Sequence, residues 1–222
     1  MGDDEKYIRD LISEGEHQQQ DFKFEITSAR KIAKTLVAFA NTDGGRLLIG
    51  VKDNGRISGI RSDEEYYMID AAATMYCRPE VRFDSYHHSV EGKEILEITV
   101  RPSHKKPHYA RDEDNRWLAY HRVNDNNYLA DYILLQVWKR RKRKQGTFIR
   151  YTENEKKVLQ QLKTAESADL DILRETTGLK NKNLKQVLIN LVSLQAVNME
   201  FREEQCTFSV SDPDNSSREF KE

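Results

Sequence analysis

The chain has 222 residues, a third of them charged, with a formal net charge of -1 and a mean hydropathy of -0.81. No apolar run approaches the roughly 20 residues that cross a bilayer, and the first thirty residues are too acidic and polar for a secretory signal, so a soluble cytoplasmic protein with no membrane partner is expected. Cys77 and Cys206 stand alone and far apart, which argues against a disulfide scaffold or a structural zinc site and leaves two free thiols, expected to be buried.

Residues 19–26 alternate as a strand should, with Phe22, Phe24 and Ile26 expected on a buried face and Asp21, Lys23 and Glu25 on the outer one. The next element is a helix: Ala29, Ile32, Ala33, Leu36, Val37 and Ala40 recur at three- and four-residue steps and form one apolar stripe, with Arg30, Lys31 and Lys34 left in water. It stops at Asn41-Thr42-Asp43-Gly44-Gly45, a turn that could also cradle an anion. Leu47-Leu48-Ile49-Gly50-Val51 then reads as a strand covered on both faces, and Asp53-Asn54-Gly55 as a hairpin return into residues 57–60. Residues 82–90 alternate again and carry His87-His88, of which one ring should face the sheet. His104, Lys105, Lys106 and His108 form a basic patch, with Tyr109, Trp117 and Tyr120 near enough in sequence either to stack on unpaired bases or to pack in a core.

The stretch Val37-Ala38-Phe39-Ala40-Asn41-Thr42-Asp43-Gly44-Gly45, followed by Leu48-Ile49-Gly50-Val51-Lys52-Asp53, resembles the signature of the Schlafen-type AlbA domain, found in bacterial transcriptional regulators and animal Schlafen proteins. Glu16 to Lys23 is similar to that family's acidic-Phe-Lys strand, and Tyr120-His121-Arg122-Val123 to its aromatic strand ending in Arg-Val; the likeness spans residues 7–135. In nuclease members the resemblance implies three acidic residues, which by motif position fall on Glu16, Asp21 and Asp53, where Mg²⁺ or Mn²⁺ would bind, with Lys23 steadying charge on the phosphate. This chain departs from those members at Asp21, where they carry Glu. The same residues also suit ordinary roles: Asp53 opens a turn, Glu16 falls in a loop, and Asp21 with Lys23 can be a solvated strand face.

The charge is polarised along the chain. Residues 1–137 hold 19 basic and 24 acidic groups, residues 138–150 hold 7 and 0, and residues 151–222 hold 10 and 13. The unbroken run Lys139, Arg140, Arg141, Lys142, Arg143 and Lys144 follows an apolar helical segment and is expected to contact nucleic-acid phosphates, the alternative being a solvated linker. Beyond it Thr152 and Glu155 form a capping box, a second helix starts near Ser167 and buries Leu170, Ile172 and Leu173, and a third is capped by Asn181. That third helix turns Leu184, Val187, Leu188, Leu191 and Val192 inward and leaves Lys182, Asn183, Lys185 and Gln186 to meet phosphates and base edges. Two short strands around Arg202-Glu203-Glu204-Gln205 complete the order of a winged helix-turn-helix, although two carboxylates at the wing tip would repel a phosphate backbone.

The expected fold is α+β: an AlbA-type mixed sheet with packed helices over residues 1–137, a basic linker at 138–150, a winged helix-turn-helix at 151–210 and a disordered tail at 211–222. There is no P-loop, GxGxxG, HExxH or GxSxG motif. The leading expectation is a nucleic-acid-binding protein, a DNA-binding transcription regulator that needs no cofactor. Its rival is a Schlafen-like endoribonuclease dependent on Mg²⁺ or Mn²⁺, and a third reading is an adaptor whose winged helix makes a homodimer.

Overall fold

In the computed structural model, which describes residues 2–142, 151–202 and 205–212, the chain divides into two units, Met1–Ala130 and Asp131–Glu222. The first unit runs α1 (Asp3–Glu14), β1 (Gln20–Lys23), α2 (Ala29–Asn41), β2 (Gly45–Ile49), α3 (Glu64–Met75), β3 (Cys77–Arg78), β4 (Asp84–Val90), β5 (Lys93–Val100), β6 (Tyr109–Arg111), β7 (Trp117–Leu118), β8 (Tyr120–Val123) and β9 (Asn126–Leu129). Its largest sheet is mixed, in the order β1-β2-β5-β4, with β1 parallel to β2 and the other neighbours antiparallel.

Ser28 starts α2 by accepting a hydrogen bond from the Lys31 amide, and Ile32, Leu36 and Val37 of its stripe, joined by Phe39 from outside it, share a core with Leu47, Ile49, Leu96 and Ile98. Because side chains alternate along a strand, Leu48 faces the other way and joins Ile8, Leu11 and Phe22 in a second cluster. β2 is therefore covered on both faces, as its continuous apolar wording requires. The two glycines before it have different reasons. Gly44 takes a φ of +74°, which an L side chain rarely adopts, whereas a Cβ at Gly45 would sit 2.4 Å from the buried Phe39 ring.

One local expectation is corrected and one is met in a short form. Phe22 is buried as expected, but Asp21 on the opposite face is also buried, at 5% exposed, and β1 ends at Lys23, so that Phe24 beyond it is 38% exposed. The face taken as outer is covered at Asp21 by a buried cation, described below. The return after Asp53-Asn54-Gly55 is closed by the Gly55 amide donating to the Lys52 carbonyl and the Lys52 amide to the Arg56 carbonyl; it extends to one antiparallel bridge between Val51 and Ile57, beyond which the Gly50 carbonyl accepts from the Ser58 and Gly59 amides.

The second unit runs α4 (Tyr132–Arg141), α5 (Glu153–Ala165), β10 (Ser167–Asp169), α6 (Leu170–Thr177), α7 (Asn181–Ser193), β11 (Val197–Arg202) and β12 (Gln205–Val210), with sheet order β10-β12-β11. Its boundary falls at 130/131 and not at 137, because Ile133 and Val137 of α4 are buried in one cluster with Val187, Ile189 and Val192 of α7. Lys139, Arg140 and Arg141 thus form the last helical turn of α4, where cations complement the helix dipole, and are not part of a linker. Residues 143–150, Glu203, Glu204 and most of the expected tail lie outside the described residues.

The capping box of Thr152 and Glu155 is present. Ser167 begins a strand, and Asp169 caps α6 by accepting from the Ile172 amide; Ile172 itself is exposed. Lys180, not Asn181, precedes α7. Cys77 is buried and Cys206 half-buried, both without a disulfide. Among the described residues no helix is long and apolar enough to cross a membrane.

Candidate nucleic-acid interface

The structure brings Glu16, Asp21 and Lys23 together and leaves Asp53 in an exposed turn. Lys23 Nζ lies 2.8 Å from Asp21 Oδ2, and Arg122 Nη2 lies 3.3 Å from Asp21 Oδ1. The Arg122 side chain is fully buried. It donates to the carbonyls of His17 (3.1 Å) and Gln20 (2.9 Å) and to Asn127 Oδ1 (3.2 Å), and its guanidinium sits 4.9 Å from the Phe39 ring centroid. Glu16 Oε1 accepts from the Phe22 amide at 2.8 Å. Burial raises the Glu16 carboxyl above its usual range, the Phe22 amide opposes that, and the charge of Asp21 raises it further.

This donor set does not fit a divalent cation. Each oxygen of Asp21 already faces a cationic side chain, and a metal ion would have to displace Lys23 or a guanidinium that has no water to move into. Among the described residues no three His, Cys, Asp or Glu side chains gather as a metal site needs, so the expected centre of Glu16, Asp21 and Asp53 is not assembled. Arg122, Gln20 and Asn127 are the participants that the carboxylate pattern missed, although Gln20 and Arg122 stand within the two strands that resemble the family's.

The turn after α2 is a bracket. Asn41 Nδ2 donates to the carbonyls of His108 and Tyr120, both at 2.9 Å, and its Oδ1 accepts from the His108 amide at 2.7 Å. Thr42 Oγ1 accepts from the Arg122 amide, and Asp43 from Gln18. The amides of Thr42 and Gly44 both donate to the Phe39 carbonyl, which occupies them in ending the helix instead of cradling an anion. Of the paired histidines, His88 is buried against Glu97 at 2.9 Å and His87 is exposed. Tyr120 and Trp117 are faced by the chain's own Lys34 and Arg78, at 5.0 and 5.7 Å from the ring centroids, so those faces are not open to a base.

In the second unit Lys182, Asn183 and Gln186 are exposed along one side of α7. Lys185 is half-buried, with Nζ 6.0 Å from the Tyr132 ring centroid. The basic run is split by α7: Arg140 donates to Asn190 Oδ1 at 2.6 Å and Arg141 to the Val192 carbonyl at 2.9 Å, while Lys139 and Lys142 remain exposed. Arg143 and Lys144 lie outside the described residues. Asn190 is oriented in turn by donating to Glu155. Burial disfavours the charged form of Glu155, yet the donors from Thr152 and Asn190 outweigh it and hold the carboxyl below its usual range.

Residues 16–131, just over half of the chain, match the family described as Schlafen, AlbA_2. The chain belongs to that family. The Asp21–Arg122 pair and the Asn41 bracket both lie inside the AlbA_2 match, and α4 to β12 lie beyond it. Two solved structures are similar to parts of the chain. The DIP2311 protein of Corynebacterium diphtheriae is 25% identical, with a TM-score of 0.44, over 59% of this chain and 28% of that one. The N-terminal domain of a RecG-related protein from Nitrosomonas europaea is 22% identical, with a TM-score of 0.37, over 51% of this chain and 83% of that one. The chain thus spans little more than a quarter of the DIP2311 protein. No curated protein matches.

Proposed function

We propose that this protein binds nucleic acid and that its second unit is a winged helix-turn-helix acting on duplex DNA, in a transcription regulator. Membership of the Schlafen AlbA_2 family supports a nucleic-acid-related function in general terms. The observation that carries the finer reading is α7: it follows α6 across a short turn at Gly178, precedes the β11–β12 hairpin, and begins with exposed Lys182 and Asn183 one turn before exposed Gln186. A lysine there reaches phosphates, and an amide side chain can pair with both edge groups of an adenine. Exposed Lys139 and Lys142 of α4 add charge to the same unit.

Fluorescence anisotropy of the full chain with duplex DNA, a structured RNA and an unstructured RNA, each with and without Mn²⁺, tests this reading. It expects binding to duplex DNA that is independent of metal, with every RNA left intact. Cleavage of RNA only in the presence of Mn²⁺ would overturn it in favour of a nuclease, and binding to none of the polymers at physiological salt in favour of a protein-docking module.

A further inference from the structure

A cleft of about 470 Å³ opens in the first unit beside β4 and β5, and its lining includes Arg82, Arg101, Ser103, His104, Lys105 and His108. Its floor is a loop fixed from within. The Ser103 amide donates to the Ala40 carbonyl at 2.9 Å, Asn41 holds both backbone groups of His108, and Lys106 Nζ donates to the Thr42 carbonyl at 2.9 Å. The His108 ring, 3% exposed, lies between the Pro79 carbonyl (2.9 Å from Nδ1) and Ser103 Oγ (2.7 Å from Nε2). A carbonyl can only accept, so Nδ1 carries a proton and, in the neutral ring, the Ser103 hydroxyl donates to Nε2. The loop is thereby tied to the end of α2 by four hydrogen bonds.

The charges on that frame do not cancel. Arg101 is paired with Asp84 at 3.1 Å, which removes one of each sign. The side chains of Arg82, His104 and Lys105 make no hydrogen bond or ion pair among the described residues, and Glu80 is the one other carboxylate in the lining. Cations held around a concave, partly walled space concentrate the field there, and the space is large enough for a nucleotide-sized group.

We propose that this cleft binds a phosphate group through Arg82 and Lys105, the phosphate being that of a free nucleotide or of a nucleic-acid strand. In its strand form the proposal rests on the nucleic-acid reading above, to which it adds a second contact surface on the AlbA_2 unit.

The test uses the full chain and the double variant Arg82→Gln/Lys105→Gln, whose two changes are at exposed positions. Amide NMR spectra are recorded with inorganic phosphate and with a nucleoside monophosphate. Anisotropy with a labelled single-stranded oligonucleotide is followed against salt. Shifts confined to the amides around Arg82, Ser103 and Lys105, abolished in the variant, support the cleft as a phosphate site. A salt slope lowered by about 1.4 in the variant, about 0.7 for each lost phosphate contact on a single strand, identifies the strand as the source. Absence of both effects overturns the proposal. If the parent chain binds no polymer, the nucleic-acid reading fails while the amide shifts still decide the cleft. If Lys182→Ala weakens duplex binding and the cleft variant changes neither readout, the reading stands and the cleft proposal falls.

Discussion

Asp21 and Arg122 are 101 positions apart in the chain, yet Oδ1 and Nη2 meet at 3.3 Å with both side chains buried. The pair joins β1 to β8, and its remaining polar atoms are taken up by Lys23, His17, Gln20 and Asn127. Removing one partner leaves the other charged and dry. Asp21→Ala or Arg122→Met should each destabilise the protein by about 3–5 kcal/mol, and the double variant should be less destabilised than the sum of the two. Urea denaturation of the four proteins checks this, and additive losses would show that the two groups do not depend on each other.

The same pair determines the response to metal. A ligand that binds only the native state raises the melting temperature by mass action. Since both oxygens of Asp21 face cations, Mg²⁺ or Mn²⁺ should leave the melting curve where it is. A rise in melting temperature that Asp21→Asn abolishes would restore the metal centre.

Legibility in the sequence followed the range of the interactions. The stripe of α2, the Thr152–Glu155 capping box and the buried side of α7 were all readable, because each depends on residues within one or two helical turns. The inward Phe22 of β1 is legible, but the burial of Asp21 is not, because alternation tells which side a residue takes and not what covers that side, here Arg122 of β8. The basic run reads as a linker in the sequence for a related reason: Ile133, Val137, Arg140 and Arg141 are explained by Ile189, Asn190 and Val192, some fifty residues later. Glycine signals were visible at Gly44 and Gly45, but only the structure separates the backbone need of the first from the steric need of the second.

That separation is testable. Gly45→Ala should destabilise the protein by about 1–3 kcal/mol through overpacking, since the added methyl meets the ring of fully buried Phe39. Combining it with Phe39→Leu should recover part of the loss in thermal denaturation. No recovery would mean that the backbone, not the ring, sets the requirement.

His121 supplies a pH dependence. Burial pushes its imidazole down from 6.5 to about 4, so between those values the unfolded chain holds a proton that the folded one lacks. Stability from this group is therefore complete above about pH 6.5 and declines as pH falls towards 4, by at most about 1.4 kcal/mol per pH unit. His121→Phe should flatten that part of the stability profile. A profile equally steep in the variant would assign the acid sensitivity to other groups.

On the proposed function, α7 of the second unit meets duplex DNA with help from the end of α4. The most direct measurement is the salt dependence of duplex-DNA affinity for the parent chain, Lys182→Ala and Lys139→Gln/Lys142→Gln, with Arg140 and Arg141 left intact because they hold α4 to α7. Each lost phosphate contact should reduce the slope of log K against log salt by about 0.9, so the account predicts a fall of about 0.9 for Lys182→Ala and about 1.8 for the α4 pair. Parent-like slopes and affinities in both variants would contradict it.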